Sequence, residues 1–119
     1  MSNITFYTAP TSNGYKVSIA LEELSLDYNP IHLHFDEKQQ KTDEYRKLNP
    51  NSRIPVIVDH ENDDFVLAES GAILLYLAER ENQLMPIERK DFHIANQWLM
   101  FQMSAIGPMM GQAMFFQRI

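Results

Sequence analysis

The sequence predicts an α/β fold: a small mixed β-sheet covered by helices, in the order β-α-β-α-β-β-α, with one further helix after it. Three observations carry this. Short β-branched and aromatic runs alternate with stretches of helical periodicity. The last two strand-like runs, around Val56 and Phe65, are separated only by a polar turn and so form a hairpin, whereas helices separate the earlier ones. No internal repeat or low-complexity segment interrupts the 119 residues, a length that makes one domain with room for a core and little more.

In chain order, Ile4-Thr5-Phe6-Tyr7 is a compact strand, and residues 8–14 (Thr-Ala-Pro-Thr-Ser-Asn-Gly) form a turn cluster. A helix follows, with Val17, Leu21 and Leu24 on one stripe, Ile19 and Ala20 alongside, and Lys16, Glu22 and Glu23 outside. Residues 26–30, ending in Asn29-Pro30, break it. Residues 31–35 (Ile-His-Leu-His-Phe) alternate as a half-buried strand, and residues 36–40 make a polar loop. Asp43–Leu48 is a short helix closed by Asn49-Pro50-Asn51. Val56-Ile57-Val58 and Phe65-Val66-Leu67 flank a hairpin turn over residues 59–64, and a helix runs from Ser70 to about residue 80. Gln83-Leu84-Met85-Pro86 is a linker. Residues 91–116 form one more helical run with a kink at Gly107-Pro108.

Charge and composition narrow the function. The net charge is −6 with no basic run, which argues against nucleic acid and anionic membrane as primary partners. With no cysteine there is no disulfide framework, thiolate metal site or protein thiol nucleophile. Met1-Ser2-Asn3 leads straight into a strand without a signal peptide, so a cytoplasmic protein is expected. From Phe92 to Gln117 no side chain is formally charged apart from the titratable His93, and an apolar helix of this kind must be buried. Asn96, Gln97, Gln102, Gln112 and Gly107-Pro108 make it a poor membrane span.

Two places in the stretch from Arg53 to Tyr76 suit a ligand. Pro55 opens a β-branched run, where proline is tolerated only at a strand's start or edge. If its peptide bond is cis, the backbone of Ile54 turns outward with its N–H and C=O free. Ser70-Gly71 begins a helix, whose N-terminus offers N–H groups and partial positive charge to a carboxylate, and Glu69 beside it could hold an ammonium. Together they would grip an amino acid by both ends, with a peptide running past Pro55.

Other clusters are weaker. His32 and His34 share a strand face but lack nearby carboxylates, so they are structural, and no metal site is expected. Asp59, Glu61, Asp63 and Asp64 match a calcium loop in composition only, and a solvated hairpin turn fits them better. The methionines after residue 99 suit core or interface. The turn Pro10-Thr11-Ser12-Asn13-Gly14 opens a helix, where polar side chains serve as caps or hydrogen-bond a ligand's thiolate near the positive end of the dipole.

Three separated motifs then agree in order and spacing with a known family: Ala9 to Gly14, Asn49-Pro50-Asn51-Ser52-Arg53-Ile54-Pro55-Val56, and Glu69-Ser70-Gly71-Ala72-Ile73-Leu74-Leu75-Tyr76-Leu77. The chain resembles the thioredoxin-like N-terminal domain of glutathione transferases. It is similar to the nu-class bacterial disulfide-bond reductases and the related fungal nitrogen-regulatory prion proteins. The resemblance implies a thioredoxin-like domain over residues 1–82, then a linker and the first helix of a truncated all-α domain over residues 83–119. It implies glutathione as co-substrate, with Asn13 and Thr11 facing the sulfur and Gln40 and Arg53 toward the glycyl end. Ile54, beside a cis Pro55, pairs with the cysteinyl residue, and Glu69 and Ser70 hold the γ-glutamyl ammonium and carboxylate. Other classes use Tyr or Ser for the thiol, so Tyr7 and Ser12 are rivals, Tyr7 being more simply a packing aromatic. The implied activity is disulfide-bond reduction, peroxidase or transferase chemistry on a small disulfide or electrophile, with a homodimer formed through residues 91–116. Alternatives are a glutathione-binding or regulatory module without turnover, or an inactive truncated transferase. Such enzymes continue through several more helices than this sequence contains.

Overall fold

The computed structural model describes residues 3–117. The chain separates into two compact units, Met1–Glu81 and Asn82–Ile119. In the first, β1 (Ile4–Thr8), α1 (Ser12–Glu23), β2 (Tyr28–His32), α2 (Asp43–Leu48), β3 (Val56–Asp59), β4 (Phe65–Ala68) and α3 (Ser70–Glu81) follow in the expected order. The sheet runs β2-β1-β3-β4, with β1 parallel to β2 and the other pairs antiparallel. This is the thioredoxin-like arrangement.

Alternation along the central strands sorts residues onto two faces. Ile4 and Phe6 of β1 and Ile57 of β3 point to one face, where Val17, Ala20, Leu21 and Leu24 of the α1 segment and Ile73 and Leu77 of α3 cover them. Val56 points to the other, where it meets Leu33 and Tyr45, with Tyr7, Ile31 and Leu48 packed around. Each large apolar side chain buried here contributes about 1.5–3 kcal/mol. An exposed pair such as His60 and Asp64, 2.7 Å apart, is worth about 0–1 kcal/mol. The two clusters therefore hold the domain, and the surface pairs trim it.

Three details differ from the sequence-based expectation. The second strand is Tyr28–His32, starting three residues before the expected residue 31, so it contains Pro30. Proline was read as a breaker, but β2 is an edge strand, where a missing N–H costs no ladder bond. Phe35 instead enters the first of two single 3₁₀ turns, Phe35–Glu37 and Gln39–Lys41, in place of a plain loop. On α1, Ile19 is exposed and Ala20 buried, because Val17, Ala20, Leu21 and Leu24 share the core stripe.

Asp59 is a fourth difference. It is 1% exposed and does not belong to a solvated turn. Its Oδ2 accepts hydrogen bonds from the Tyr76 hydroxyl at 2.6 Å and Arg80 Nε at 3.0 Å, and its Oδ1 accepts from the Glu61 N–H at 3.0 Å. Arg80 also bridges to Glu61 at 2.6 Å and Glu81 at 2.7 Å. Burial works to lower the Arg80 pKa, but Asp59 first, then Glu81 and Glu61, raise it overall. Burial and the bond to Asp59 raise the Tyr76 phenol.

The second unit holds α4 (Arg89–Phe101), a π-helical turn over Gln102–Ile106 and α5 (Gly107–Gln117). The irregularity lies just before Gly107-Pro108, where the sequence suggested a kink: Pro108 lacks an N–H and crowds the carbonyl four residues back, and a wider turn relieves both. Glu88 caps α4, accepting from the N–H groups of Lys90 at 3.1 Å and Asp91 at 2.8 Å, and these bonds lower its pKa. None of the described residues of α4 and α5 is buried, contrary to the expectation for so apolar a run. Among the described residues no helix is long and apolar enough to cross a membrane.

The approach to β3 is fixed by one backbone carbonyl. The oxygen of Arg53 accepts from the Tyr45 hydroxyl at 2.7 Å and from Asn49 Nδ2 at 2.9 Å. Asn49 Oδ1 accepts from the Asn51 N–H at 3.0 Å, and its carbonyl from the Ser52 N–H at 2.9 Å, which closes the turn. Burial, with Tyr7 beside it, pushes the Tyr45 phenol well above its ordinary pKa, so it stays a donor throughout the neutral range. Ile54–Pro55 is cis.

At the other entry, Gly14 lets the start of α1 lie against the end of β1. A Cβ there would press on Thr8 Oγ1 and come within 2.5 Å of the Ala9 carbonyl oxygen. Gly14→Ala is therefore expected to destabilise the protein by about 1–3 kcal/mol, the usual cost of overpacking. A denaturant midpoint equal to that of the unmodified chain would show that α1 can retreat. Tyr45→Phe leaves the Arg53 carbonyl with one partner, and should cost about 1 kcal/mol by the same measurement.

Candidate functional site

One cavity gathers residues from three separate segments. It has a volume of about 440 Å³ and is lined by Thr11 and Asn13 at the start of α1, Phe35, Gln40 and Lys41 on the 3₁₀ turns, and residues 51–54 before β3. Five of the eight expected ligand-binding residues line it together: Thr11, Asn13, Gln40, Arg53 and Ile54. Ser52 takes a left-handed φ of 57°, and Arg46 Nε donates to its hydroxyl at 3.2 Å.

Thr11 is the N-cap of α1. Its Oγ1 accepts from the Gly14 N–H at 3.4 Å, and its carbonyl accepts from the Tyr15 N–H at 2.9 Å. A threonine hydroxyl keeps a donor while it accepts, so capping and ligand contact are compatible. Asn13 lies in the first helical turn, and its Oδ1 accepts from Lys16 Nζ at 2.9 Å. Partial burial lowers the Lys16 pKa. Gln40 Oε1 is shielded from solvent without a hydrogen-bond partner, which suits an N–H donor from a ligand. Lys41 and Arg53 add positive charge, so the cavity combines a helix N-terminus, two cations and an unmatched acceptor. That set fits a peptide-like anion.

The other three expected residues lie beside this cavity and not in its wall. The β3–β4 ladder ends with Val56 opposite Ala68, which leaves Pro55 and Glu69 flanking each other one step beyond. Glu69 is exposed, with a φ of 75°, and its carbonyl accepts the first bond of α3 from the Ile73 N–H at 2.9 Å. A non-glycine residue held in the left-handed region is strained, and such strain concentrates at functional sites. Ser70 is 2% exposed. Of the rivals, Tyr7 packs edge-on against Tyr45 with ring centroids 5.7 Å apart and does not line the cavity, and neither does Ser12.

Sequence reasoning missed Phe35, Lys41, Asn51 and Ser52 as lining residues and Tyr45 as the support beneath them. The polar run Gln39-Gln40-Lys41 before Thr42 was the available signal for Lys41. Tyr45 had none, because it meets Arg53 only across the turn. His32 and His34 stack with centroids 4.8 Å apart. A larger cavity, about 710 Å³, is lined by Asp59, Glu61, Asn62, Tyr76 and Arg80 among others. It sits at the opposite end of β1, since Asp59 pairs with Ile4 and Val56 with Tyr7. Its charged groups are largely matched to one another through Arg80.

Comparison with known proteins agrees with the fold. Residues 2–79 match the family model for the glutathione S-transferase N-terminal domain. The chain is 42% identical over 113 residues to the disulfide-bond oxidoreductase YfcG of Escherichia coli (strain K12), covering 92% of this chain and 53% of YfcG. It is 41% identical over 111 residues to the URE2 protein of Candida albicans, covering 88% of this chain and 32% of that one. A glutathione transferase family member from Pseudomonas fluorescens pf-5, solved with two glutathione molecules bound, superposes with a TM-score of 0.93 at 46% identity, covering 97% of this chain and 52% of that one. The chain thus spans about half the length of these relatives, or less. Fold, site and comparisons together place the chain in the glutathione S-transferase family, to which it belongs through that family's N-terminal domain.

Proposed function

We propose that this protein binds glutathione in the cavity between α1 and residues 51–54 and uses it to reduce or transfer to a small disulfide or electrophile. The observation that carries the reading is the convergence of Thr11, Asn13, Gln40, Arg53 and Ile54 on one cavity at a helix N-terminus. Asn13 and Thr11 hydrogen-bond the sulfur and, with the α1 dipole, lower the thiol pKa from its free value of about 8.5. Arg53 and Gln40 face the glycyl end, and Ile54 beside cis Pro55 pairs with the cysteinyl backbone. Glu69 and Ser70 hold the γ-glutamyl ammonium and carboxylate.

In disulfide reduction one glutathione thiolate attacks a sulfur of the substrate, forming a mixed disulfide and expelling a thiolate. A second glutathione thiolate then attacks the glutathione sulfur of the mixed disulfide, giving oxidised glutathione and expelling the second substrate thiolate; the two expelled thiolates take up the two protons that the glutathione thiols released to water. The chain has no cysteine, so both reacting thiols come from glutathione. Similarity to YfcG, a disulfide-bond oxidoreductase, supports reduction over other transfers. We read residues 83–119 as a linker and the first helix of a helical domain, and the protein as cytoplasmic.

Glutathione titrated calorimetrically into the chain tests binding, and a small disulfide added with glutathione tests turnover. Binding without disulfide reduction would leave a binding module in place of an enzyme. Glu69→Ala removes a charge-assisted bond worth roughly 1.5–3 kcal/mol, so glutathione affinity should fall about ten- to a hundredfold. An unchanged affinity would remove Glu69 from the γ-glutamyl site. The exposed Trp98, Phe101, Met109, Met110, Phe115 and Phe116 support a homodimer through residues 91–116. Sedimentation at tens of micromolar should show a dimer, and a stable monomer would overturn that part of the reading.

A further inference from the structure

The contact between Lys16 and Asn13 carries one step more, resting on the reading of Asn13 just given. Lys16 follows Asn13 by one helical turn, and its ammonium donates to Asn13 Oδ1 at 2.9 Å. An ammonium has three donors and no acceptor, so only the oxygen end of the Asn13 amide can face it. The two ends of an amide are nearly equal in shape, and without such a partner the side chain can present either one. Asn13 lines the cavity, while Lys16 does not. With its oxygen taken by Lys16, the end Asn13 has left for a ligand is the –NH₂, which suits an anion. The reversed amide would offer a partly negative oxygen in the same place. We propose that Lys16 is a positioning residue: it locks the Asn13 amide with its N–H donors toward the sulfur, which makes the site selective for the ionised over the protonated thiol of glutathione.

An ordinary i,i+3 contact on a helix stabilises it by a few tenths of a kcal/mol and does nothing else. The two roles separate in the titration of the bound thiol. Partial burial lowers the Lys16 pKa, so its charge sits where water screens it less than on open surface. The other cations of the cavity, Lys41 and Arg53, are the same in every variant, so their influence cancels in a comparison.

The test is the pH dependence of thiolate absorbance for glutathione bound to the full chain and to its variants. Lys16→Met, and independently Lys16→Gln should the first fold poorly, is expected to raise the pKa of the bound thiol by about one unit, the size of shift one nearby charged partner produces. Affinity at low pH, where the thiol is protonated, should change less than twofold. Lys16→Arg restores a donor-only cation and should bring the titration back toward that of the unmodified chain. In an Asn13→Ala background, Lys16→Met should add nothing. The inference is overturned if Lys16→Met and Lys16→Gln leave the thiol pKa in place while Asn13→Ala moves it. It is equally overturned if the Lys16 shift persists undiminished without Asn13, because the ammonium would then act directly on the sulfur. An Asn13→Ala variant with an unmoved thiol pKa would remove the assigned role of Asn13, and this inference with it.

Discussion

The Arg53 carbonyl is the constraint on which the rest of the site depends. Its oxygen has two lone pairs, one met by a side chain of α2 and the other by a side chain of the following turn. Those two bonds decide where the chain stops being a loop and becomes β3. One step earlier or later and Val56 would leave the core, because a shift of one residue turns every strand side chain to the opposite face. The helix that supplies Tyr45 is six residues long, too short to persist alone. It stands because Tyr45 is buried against Tyr7 and Val56. Helix, turn and strand therefore hold one another, and the lining residues Arg53 and Ile54 inherit their positions from that agreement.

Charge is distributed along the sheet in a way its net value of −6 conceals. At the end where Tyr7, Val56 and Ala68 pair, α1 and α3 both begin, and Lys41 and Arg53 lie nearby. At the end where Ile4 and Asp59 pair, Glu61, Glu79 and Glu81 gather around the single Arg80. Two helix N-termini, Lys41 and Arg53 lie at one end of β1 beside Glu69, while Glu61, Glu79 and Glu81 surround Arg80 at the other, so the two ends differ in charge. Such a distribution favours an anion at the first end over the second. Strands β1 and β4 run in the same direction, so α1 and α3 begin at the same end of the sheet, and this polarity follows from the topology and not from the amount of charge.

Most of the architecture was legible because it rests on local pattern. A β-branched run marked β3, the Pro10–Gly14 turn and the Val17, Leu21, Leu24 stripe marked α1, and Pro55 stood where only a strand's beginning or edge allows it. The failures have one cause in common: the deciding partner is distant in sequence. Pro30 is acceptable because β2 has an open edge, which residues 28–32 alone cannot disclose. Asp59 looks like a turn residue until Arg80, twenty-one positions later, is folded against it. Phe35 and Lys41 entered the cavity through 3₁₀ turns that have no apolar period of their own. Five cavity-lining residues were picked out through the spacing of whole motifs and the resemblance they carry, and the supports beneath them, Tyr45 above all, were not.

The bond between Asp59 and Arg80 bears on how the domain carries mechanical load. α3 is twelve residues long, roughly 18 Å from end to end, and behaves as a stiff rod. Ser70 stands at one tip, and Arg80 is one residue from the other, pinned to the end of β3 by a side chain that is almost wholly enclosed. Any pull from the chain beyond residue 81 reaches the rod at its anchored tip. There it is borne by the β3–β4 hairpin before it can tilt the helix. The serine at the far tip is thereby isolated from forces transmitted along the polypeptide, as a hinge pin shields one end of a beam from strain applied at the other.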